Sequence, residues 1–148
     1  MIKRVYKSSE KEYIIKLCDT SFPNGICKRD NYKEIFDKID KYAEFYVASS
    51  EGDVCGYAAM YNNDMDAKTA YITMICVRDI YQGRHIGSEL MAACIDSAEK
   101  TGMKAVRLEV AKANLKAAAF YEKAGFVNEE NLPGDRIFMV LKLNGKGT

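Results

Sequence analysis

The chain begins with a strand-like segment followed by a helical one. Ile2 to Tyr6 alternates apolar and polar residues, as a half-buried strand does. Ser8 or Ser9 can then cap the N-terminus of a helix whose apolar face extends to Cys18. The segment Phe22-Pro23-Asn24-Gly25 is rich in turn residues and ends this helix.

A second amphipathic helix and a hairpin are predicted next. The helix covers about Asp30 to Tyr42. Two strands follow, Phe45 to Ala48 and Val54 to Tyr61, and Glu51-Gly52-Asp53 between them is typical of a hairpin turn. The apolar residues of the helix share one face: Tyr32, Ile35, Phe36 and Ile39.

The middle of the chain predicts a buried strand, a glycine-containing loop and a helix. Tyr71 to Val77 is almost continuously apolar, which indicates a central strand covered on both faces. The loop Gln82 to Gly87 follows, and Gly102 caps the helix after it. The residues of that helix that point inward are Leu90, Met91, Cys94, Ile95 and Ala98.

A further strand and helix follow in the last third of the chain. Val106 to Val110 alternates like a strand, and a helix is predicted from about Asn114 to Ala124. The helix carries an amide, a small residue and a phenol along one stripe, which could line a slot: Asn114, Ala117 and Tyr121.

Composition and charge narrow the class of protein. The chain has 148 residues, enough for one domain with one hydrophobic core, and its net charge is +1. Without an excess of positive charge, nucleic acid is not an expected partner. No membrane-spanning run or signal peptide is evident, so we expect a cytoplasmic protein that does not enter a membrane. The cysteines form no C-x-x-C pair, which predicts reduced thiols and no metal site: Cys18, Cys27, Cys55, Cys76 and Cys94.

The loop from Gln82 to Gly87 is a candidate anion site. A glycine-containing loop at a helix start exposes backbone amides without helical partners, and the helix dipole favours negative charge there. A plain turn without a ligand has the same appearance. The dinucleotide pattern G-x-G-x-x-G and the P-loop pattern are both absent, so phosphate binding of another kind is indicated.

Two motifs together resemble those of the GNAT superfamily of N-acetyltransferases. Gln82 to Gly87 reads Q-G-R-H-I-G and is similar to the family's Q/R-x-x-G-x-G/A pyrophosphate loop. Asn114 to Phe126 reads N-L-K-A-A-A-F-Y-E-K-A-G-F and is similar to the family's N-x-x-A-x-x-F-Y-E-K-x-G-F segment. The resemblance spans nearly all of residues 1–148 as a single domain. It implies a mixed α/β fold: an antiparallel-rich sheet with a splayed pair of parallel strands, flanked by about four helices.

The resemblance also implies how acetyl-coenzyme A would bind. The pantetheine arm would enter the gap between the two parallel strands and pair with their main chain, while the loop would hold the diphosphate. At the loop position where the family usually has Gly, this chain has His85, its only histidine, which can also adopt positive φ. The implied coenzyme-binding residues are Ile75, Cys76, Val77, Gln82, Gly83, Arg84, His85, Ile86, Gly87, Asn114, Ala117 and Tyr121.

Acetyl transfer to an amine calls for an acid and a base. Tyr121 is our candidate acid, because a phenol with a pKa of about 10 keeps its proton at neutral pH. Glu109 is our candidate base, since the resemblance extends to members that acetylate protein N-terminal amines with the glutamate of an L-E-V strand. An ion pair between Glu109 and Arg107 or a lysine, or a water chain acting as base, remains an alternative.

The acceptor amine is not identified by the motifs; the resemblance implies that it is chosen by the first two helices and by loops near Asn62 to Ala67 and Glu129 to Asp135. A small molecule and a peptide or protein are both compatible with direct attack in a ternary complex, and Asp64, Asp66 or Glu34 could attract a cationic amine. The oligomeric state, monomer or homodimer, is also not identified. The alternatives from other classes are a non-catalytic acyl-coenzyme A sensor and a flavodoxin-like nucleotide-binding domain, although the hairpin before residue 62 disfavours the latter.

Overall fold

The computed structural model describes residues 1–21 and 25–143, so most of the turn predicted at 22–25 lies outside the described residues. The described part contains a mixed sheet and four α-helices, in line with the predicted fold class. The elements in chain order are β1 Ile2–Arg4, α1 Ser8–Cys18, α2 Tyr32–Tyr42, β2 Glu44–Ser50, β3 Asp53–Tyr61, β4 Thr69–Val77, α3 Ile86–Thr101, β5 Ala105–Ala111, α4 Leu115–Lys123, β6 Val127–Leu132 and β7 Arg136–Lys142.

The strands of the described chain form one sheet in the order β1-β2-β3-β4-β5-β7-β6. All neighbouring strands are antiparallel except β4 and β5, which are parallel. Because five of the six strand pairs are antiparallel, the flavodoxin-like alternative is wrong: that fold requires a parallel sheet with alternating strands and helices.

The central strand β4 contains a bulge that breaks its alternation. Met74 pairs with Ala59 and Ile72 pairs with Met60, so Thr73 is an extra residue without a partner on β3. Bulges bend a strand and increase its twist. Ile72 therefore packs on one face of the sheet and Met74 on the other, although they are two residues apart. This explains why the sequence of β4 is apolar almost throughout rather than at every second position.

Helices cover both faces of the sheet. α1 and α2 pack on one face, with Ile14, Ile15 and Ile39 in a core shared with Phe45 and Tyr57. α3 packs on the other face through its buried residues Ile86, Leu90, Met91, Cys94 and Ala98. None of the helices within the described ranges is long and apolar enough to cross a bilayer.

Two local expectations were wrong. Neither Ser8 nor Ser9 caps α1: the helix begins at Ser8, and the Ser8 hydroxyl instead donates a hydrogen bond to Asp40 Oδ2 over 2.6 Å, which ties α1 to α2. The stretch 129–135, interpreted as a loop, is largely strand β6. Its residues are exposed on both faces at the edge of the sheet, so no alternation of apolar residues marks it.

Candidate active site

The parallel strands β4 and β5 separate after only three paired positions. The last pair is Tyr71 with Arg107, and beyond it the two strands make no further bridges. The edge of β4 from Ile72 to Val77 therefore has no strand partner on the β5 side within the described residues. We call this opening the slot. It confirms the splayed pair, and the bend at Thr73 just beyond Tyr71 provides its physical cause.

The loop Gln82–Gly87 lies between the end of β4 and the start of α3. Gly83 and His85 have φ values of 81° and 64°, so His85 adopts the left-handed conformation that the sequence required of it. Within the described residues, the backbone amides of 83–88 donate to no protein acceptor. A row of free amides at a helix N-terminus can hold an anion such as a phosphate.

Side chains around the loop hold its shape and bring in positive charge. Gln82 accepts a hydrogen bond from Lys116 Nζ at 2.9 Å and donates one to the Val77 carbonyl at 3.1 Å. The Arg84 guanidinium lies 5.4 Å from the centroid of the Tyr81 ring. Both cations belong to exposed residues, so they can meet an anion from solvent without first leaving a buried ion pair.

The helix α4 is less deeply buried than α3. It has no fully buried residue, whereas α3 has five. Asn114 is the N-cap of α4, and its side chain accepts a hydrogen bond from the Ala117 amide at 3.2 Å. The sequence placed Asn114 on a binding stripe. The side-chain oxygen of Asn114 caps the helix instead, so its side-chain nitrogen is the atom left to bind a ligand.

Gly87 provides the contact between α3 and α4. A β-carbon built at Gly87 would lie 3.3 Å from Phe120 Cζ and 3.7 Å from Val77 Cγ2. A side chain at position 87 would therefore push against Phe120, the neighbour of Tyr121. The glycine is required for close packing of the helices, in addition to any approach of a phosphate to the backbone.

Tyr121 projects into the same region from α4. Its ring packs edge-on between Phe120 at 5.4 Å and Phe126 at 6.0 Å, measured between ring centroids. Burial raises the pKa of Tyr121 to about 12, so the phenol keeps its proton throughout the neutral range. Within the described residues its hydroxyl makes no hydrogen bond to protein, so the proton can be donated to a ligand.

Glu109 lies on the face of β5 opposite Val106 and Leu108, as its strand position predicted. Its partner is neither Arg107 nor a lysine. Arg136 of β7 donates to Glu109 Oε1, and the Tyr71 hydroxyl donates to Oε2 over 3.4 Å. Two donors from different strands fix the orientation of a carboxylate whose side chain is 28% exposed.

Arg107 is held by other partners. Its Nε lies 2.8 Å from Glu129 Oε1, an ion pair without an aligned hydrogen bond, and its guanidinium lies 4.1 Å from the centroid of the Phe138 ring. Glu129 is the extra residue of another bulge, this one in β6. Asn128 and Glu130 pair with successive residues of β7, and Glu129 between them has no partner there. The bulge turns this carboxylate toward Arg107.

Cys76 differs from the other coenzyme-binding candidates in where its side chain lies. It is buried on the α1 face of the sheet, where its Sγ lies 3.5 Å from the Cys18 carbonyl oxygen. The contact with Cys18 and burial raise the pKa of Cys76, which keeps it a neutral thiol. Only its main chain can face the slot. All five cysteines are free.

Two residues of the site were missed by sequence reasoning. Tyr71 and Arg136 both contact Glu109, yet they are 38 and 27 residues away from it along the chain. Strand register alone could have suggested them, since Tyr71 closes the parallel pair and Arg136 begins the strand beside β5. Among residues 1–21 and 25–143, no group of three His, Cys, Asp or Glu side chains could hold a metal ion.

Comparison with known proteins agrees with this fold. The family model of the acetyltransferase (GNAT) family matches residues 5–126. A Bacillus subtilis protein, provisionally named a ribosomal protein bS18 alanine N-acetyltransferase, is 25% identical over 114 residues, which are 77% of this chain and 72% of that protein.

Solved structures show the same fold. Ard1 from Thermoplasma volcanium superposes with a TM-score of 0.80 at 25% identity, and the match covers 97% of each chain. A GNAT family acetyltransferase from Elizabethkingia anophelis, solved with acetyl-coenzyme A bound, superposes with a TM-score of 0.75 at 20% identity over 97% of each chain. The chain therefore belongs to the acetyltransferase (GNAT) family and is an acetyl-coenzyme-A-dependent N-acetyltransferase.

Proposed function

We propose that this enzyme transfers the acetyl group directly to the primary amine of a small molecule or a peptide, with both substrates bound at once. The observation that carries the proposal is the slot: the free amides of 83–88 follow the open edge of β4, and Glu109 contacts Tyr71, where the pairing of β4 with β5 ends. Separate approaches for two substrates make a ternary complex possible without a covalent acetyl-enzyme.

The described residues fit acetyl-coenzyme A. The free amides of 83–88, with Arg84 and Lys116 nearby, suit the diphosphate. The unpartnered edge of β4 around Ile75 and Val77 suits the amide groups of the pantetheine arm, which would pair with it as an added strand does. When bound, acetyl-coenzyme A supplies an activated acyl carbon that the amine nitrogen attacks as the carbon–sulfur bond breaks.

Glu109 and Tyr121 would manage two protons of this exchange. Glu109 accepts the proton that the acceptor's ammonium group must lose before its nitrogen can attack, and Arg136 and Tyr71 hold its carboxylate in place. Tyr121 gives its hydroxyl proton to the departing sulfur. The attacking nitrogen loses its second proton to solvent as the amide forms. The proton on Glu109 also leaves to solvent, and Tyr121 regains one from solvent, so the enzyme returns to its starting state.

The non-catalytic alternative predicts binding without chemistry. A sensor needs the free amides of 83–88 but has no use for a phenol that keeps its proton at neutral pH and makes no hydrogen bond to protein among the described residues. This arrangement therefore favours catalysis over sensing.

The proposal is tested by measuring the release of free thiol from acetyl-coenzyme A in the presence of amines, polyamines, amino acids and peptides. Acceptor-dependent release, with mass spectrometry showing one acetyl group added to the acceptor, is the expected result. Tight coenzyme binding without release for any acceptor would identify a sensor. Acetylation of the enzyme itself as a competent intermediate would contradict direct attack.

A further inference from the structure

A cavity of about 410 Å³ opens next to Glu109. Six of its lining residues matter here: Lys38, Tyr42, Tyr61, Asp64, Tyr71 and Arg107. Tyr71 and Arg107 form the last pair before the slot, and the Tyr71 hydroxyl donates to Glu109. An amine held at Glu109 would therefore extend its remaining atoms into this cavity. Its volume lies in the range of cavities that hold small molecules.

The walls of the cavity carry two opposite charges that are not paired with each other. Within the described residues, Lys38 has no carboxylate at salt-bridge distance, and its Nζ lies 5.1 Å from the centroid of the Tyr61 ring. Asp64 has no cation at that distance either. Its Oδ1 accepts a hydrogen bond from the Ala67 amide at 3.0 Å, which fixes the carboxylate in the β3–β4 loop.

The third charge on the wall is already neutralised. Arg107 is paired with Glu129 at 2.8 Å. The cavity thus offers one cation and one anion to a ligand, together with three tyrosine rings as apolar walls. A polyamine would meet Asp64 favourably but would also face Lys38, which has no carboxylate at salt-bridge distance among the described residues. A simple monoamine would leave Lys38 without a partner.

Resting on the proposed function, we infer that the acceptor is a zwitterionic amine of amino-acid type, whose carboxylate binds Lys38. Asp64 attracts the incoming ammonium group, which Glu109 then deprotonates for attack. The carbon skeleton packs on Tyr42, Tyr61 and Tyr71. The carboxylate can come from a free amino acid or from an acidic residue next to a peptide N-terminus, and both sources present the same chemistry to Lys38.

The test compares acceptors that differ only in the carboxylate. Acetylation is measured for free amino acids, their carboxamides and the corresponding decarboxylated amines. Dipeptide amides with Glu or Gln in second position distinguish the peptide source from the free amino acid. A charge-assisted hydrogen bond is worth enough for about tenfold or more in kcat/KM, so the carboxylate form should be preferred by at least that factor.

The variant Lys38→Glu should remove this preference by raising the KM of the carboxylate acceptor about tenfold or more, with the KM of acetyl-coenzyme A unchanged. Lys33→Glu is the matched control, because Lys33 is exposed on the same helix and does not line the cavity. It should leave the preference intact. An equal loss in both variants would mean a general effect of charge and would overturn the inference.

Binding separates this inference from the proposed reaction. Calorimetry of acceptors with the complex of enzyme and desulfo-coenzyme A measures recognition without turnover. Carboxylate-selective binding that depends on Lys38 supports the inference even if no acceptor is acetylated, a result that would defeat only the proposed function. If the carboxamides bind and react as well as the carboxylates, the inference is overturned and the proposed function stands.

Discussion

Tyr71 and Glu109 meet where β4 and β5 part, with 3.4 Å between the Tyr71 hydroxyl oxygen and Glu109 Oε2. Tyr71 is also the last residue of β4 that pairs with β5. The residue that ends the parallel pairing thus also orients the carboxylate that we propose as base. Burial, followed by the nearby Glu109 carboxylate, raises the pKa of Tyr71 to about 12, so Tyr71 remains a hydrogen-bond donor across the working pH range.

Replacing Glu109 by Gln should lower kcat by about 10²- to 10⁴-fold and leave the affinity for coenzyme A nearly unchanged. The amide keeps the shape of the side chain but cannot accept a proton. The loss should shrink as pH rises, because a growing fraction of the acceptor amine is then already deprotonated. A pH–rate profile from pH 6 to 10 measures this.

Glu130→Gln provides the comparison for that experiment, since Glu130 is an exposed strand carboxylate that makes no salt bridge among the described residues. Its profile should match the wild type. If Glu109→Gln also matches the wild type at every pH, a water chain removes the proton and Glu109 is structural.

Replacing Tyr121 by Phe should lower kcat by about 10²- to 10⁴-fold, because only the proposed proton donor is lost. The ring and its contacts with Phe120 and Phe126 remain, so stability at neutral pH should hardly change. An acyl donor with a more acidic leaving thiol needs less protonation and should be affected less. Wild-type turnover with both donors would make Tyr121 a packing residue.

The same variant should change stability at high pH. Because burial raises the pKa of Tyr121 in the folded protein to about 12, above the value of about 10 expected for the unfolded chain, folding favours the protonated phenol. The resulting stability is fully present below pH 10 and is lost as pH rises toward 12. Tyr121→Phe lacks this contribution to the pH dependence.

Guanidinium unfolding at pH 9 and pH 11 measures the effect. The free energy of unfolding should fall less between these two values in Tyr121→Phe than in the wild type. Tyr13→Phe serves as the comparison, since Tyr13 is exposed on α1 and should show the wild-type dependence. The same dependence in Tyr121→Phe would contradict a raised pKa at this position.

The left-handed conformation of His85 predicts opposite outcomes for two substitutions. His85→Gly relieves backbone strain of roughly 1 kcal/mol and should retain coenzyme binding with equal or higher thermal stability. His85→Val puts a β-branched residue at φ 64° and should lower both the coenzyme affinity and the thermal stability. Titration calorimetry with coenzyme A measures the affinity, and thermal melting measures the stability. Loss of binding in His85→Gly alone would show that the imidazole itself contacts the coenzyme.

A charge placed beside the free amides of 83–88 tests the diphosphate site. Ser88 is exposed in the first turn of α3, so Ser88→Glu adds a negative charge there without the clash against Phe120 that a side chain at Gly87 would cause. Coenzyme A affinity should fall, and more so at low salt. Ser88→Gln has the same size without the charge and should bind almost normally. Equal affinities for the two variants would place the diphosphate elsewhere.

The helices and the hairpin could be predicted because each leaves a local pattern in the sequence, whereas the splayed pair was expected only from the resemblance of the two motifs to the GNAT superfamily. The left-handed His85 could be predicted from the motif, since only a few residue types tolerate that position. The partners of Glu109 could not. The contact with Arg136 depends on the register of β7 against β5, and the sequence pattern does not specify which charged residues of neighbouring strands meet.

Two further features had no local signal for a different reason. β6 is exposed on both faces, so its polar residues carry no period of two. The bulge at Thr73 lies within an apolar run, in which a change of face leaves no mark because both faces are buried. When both faces of a strand contact the core, or when neither face does, the residue types along the strand do not indicate which side chains point to which face.

The bulge has a consequence for the effect of changing chain length. With Thr73 deleted, Ile72 and Met74 would become neighbours in a regular strand, and every remaining side chain of β4 would keep its present side of the sheet. The hydrophobic core would thus tolerate the shorter chain. The bend would disappear, and β4 could continue pairing with β5 beyond Tyr71. A single-residue deletion would then convert an enzyme into a closed, well-packed sheet that is unable to admit its coenzyme.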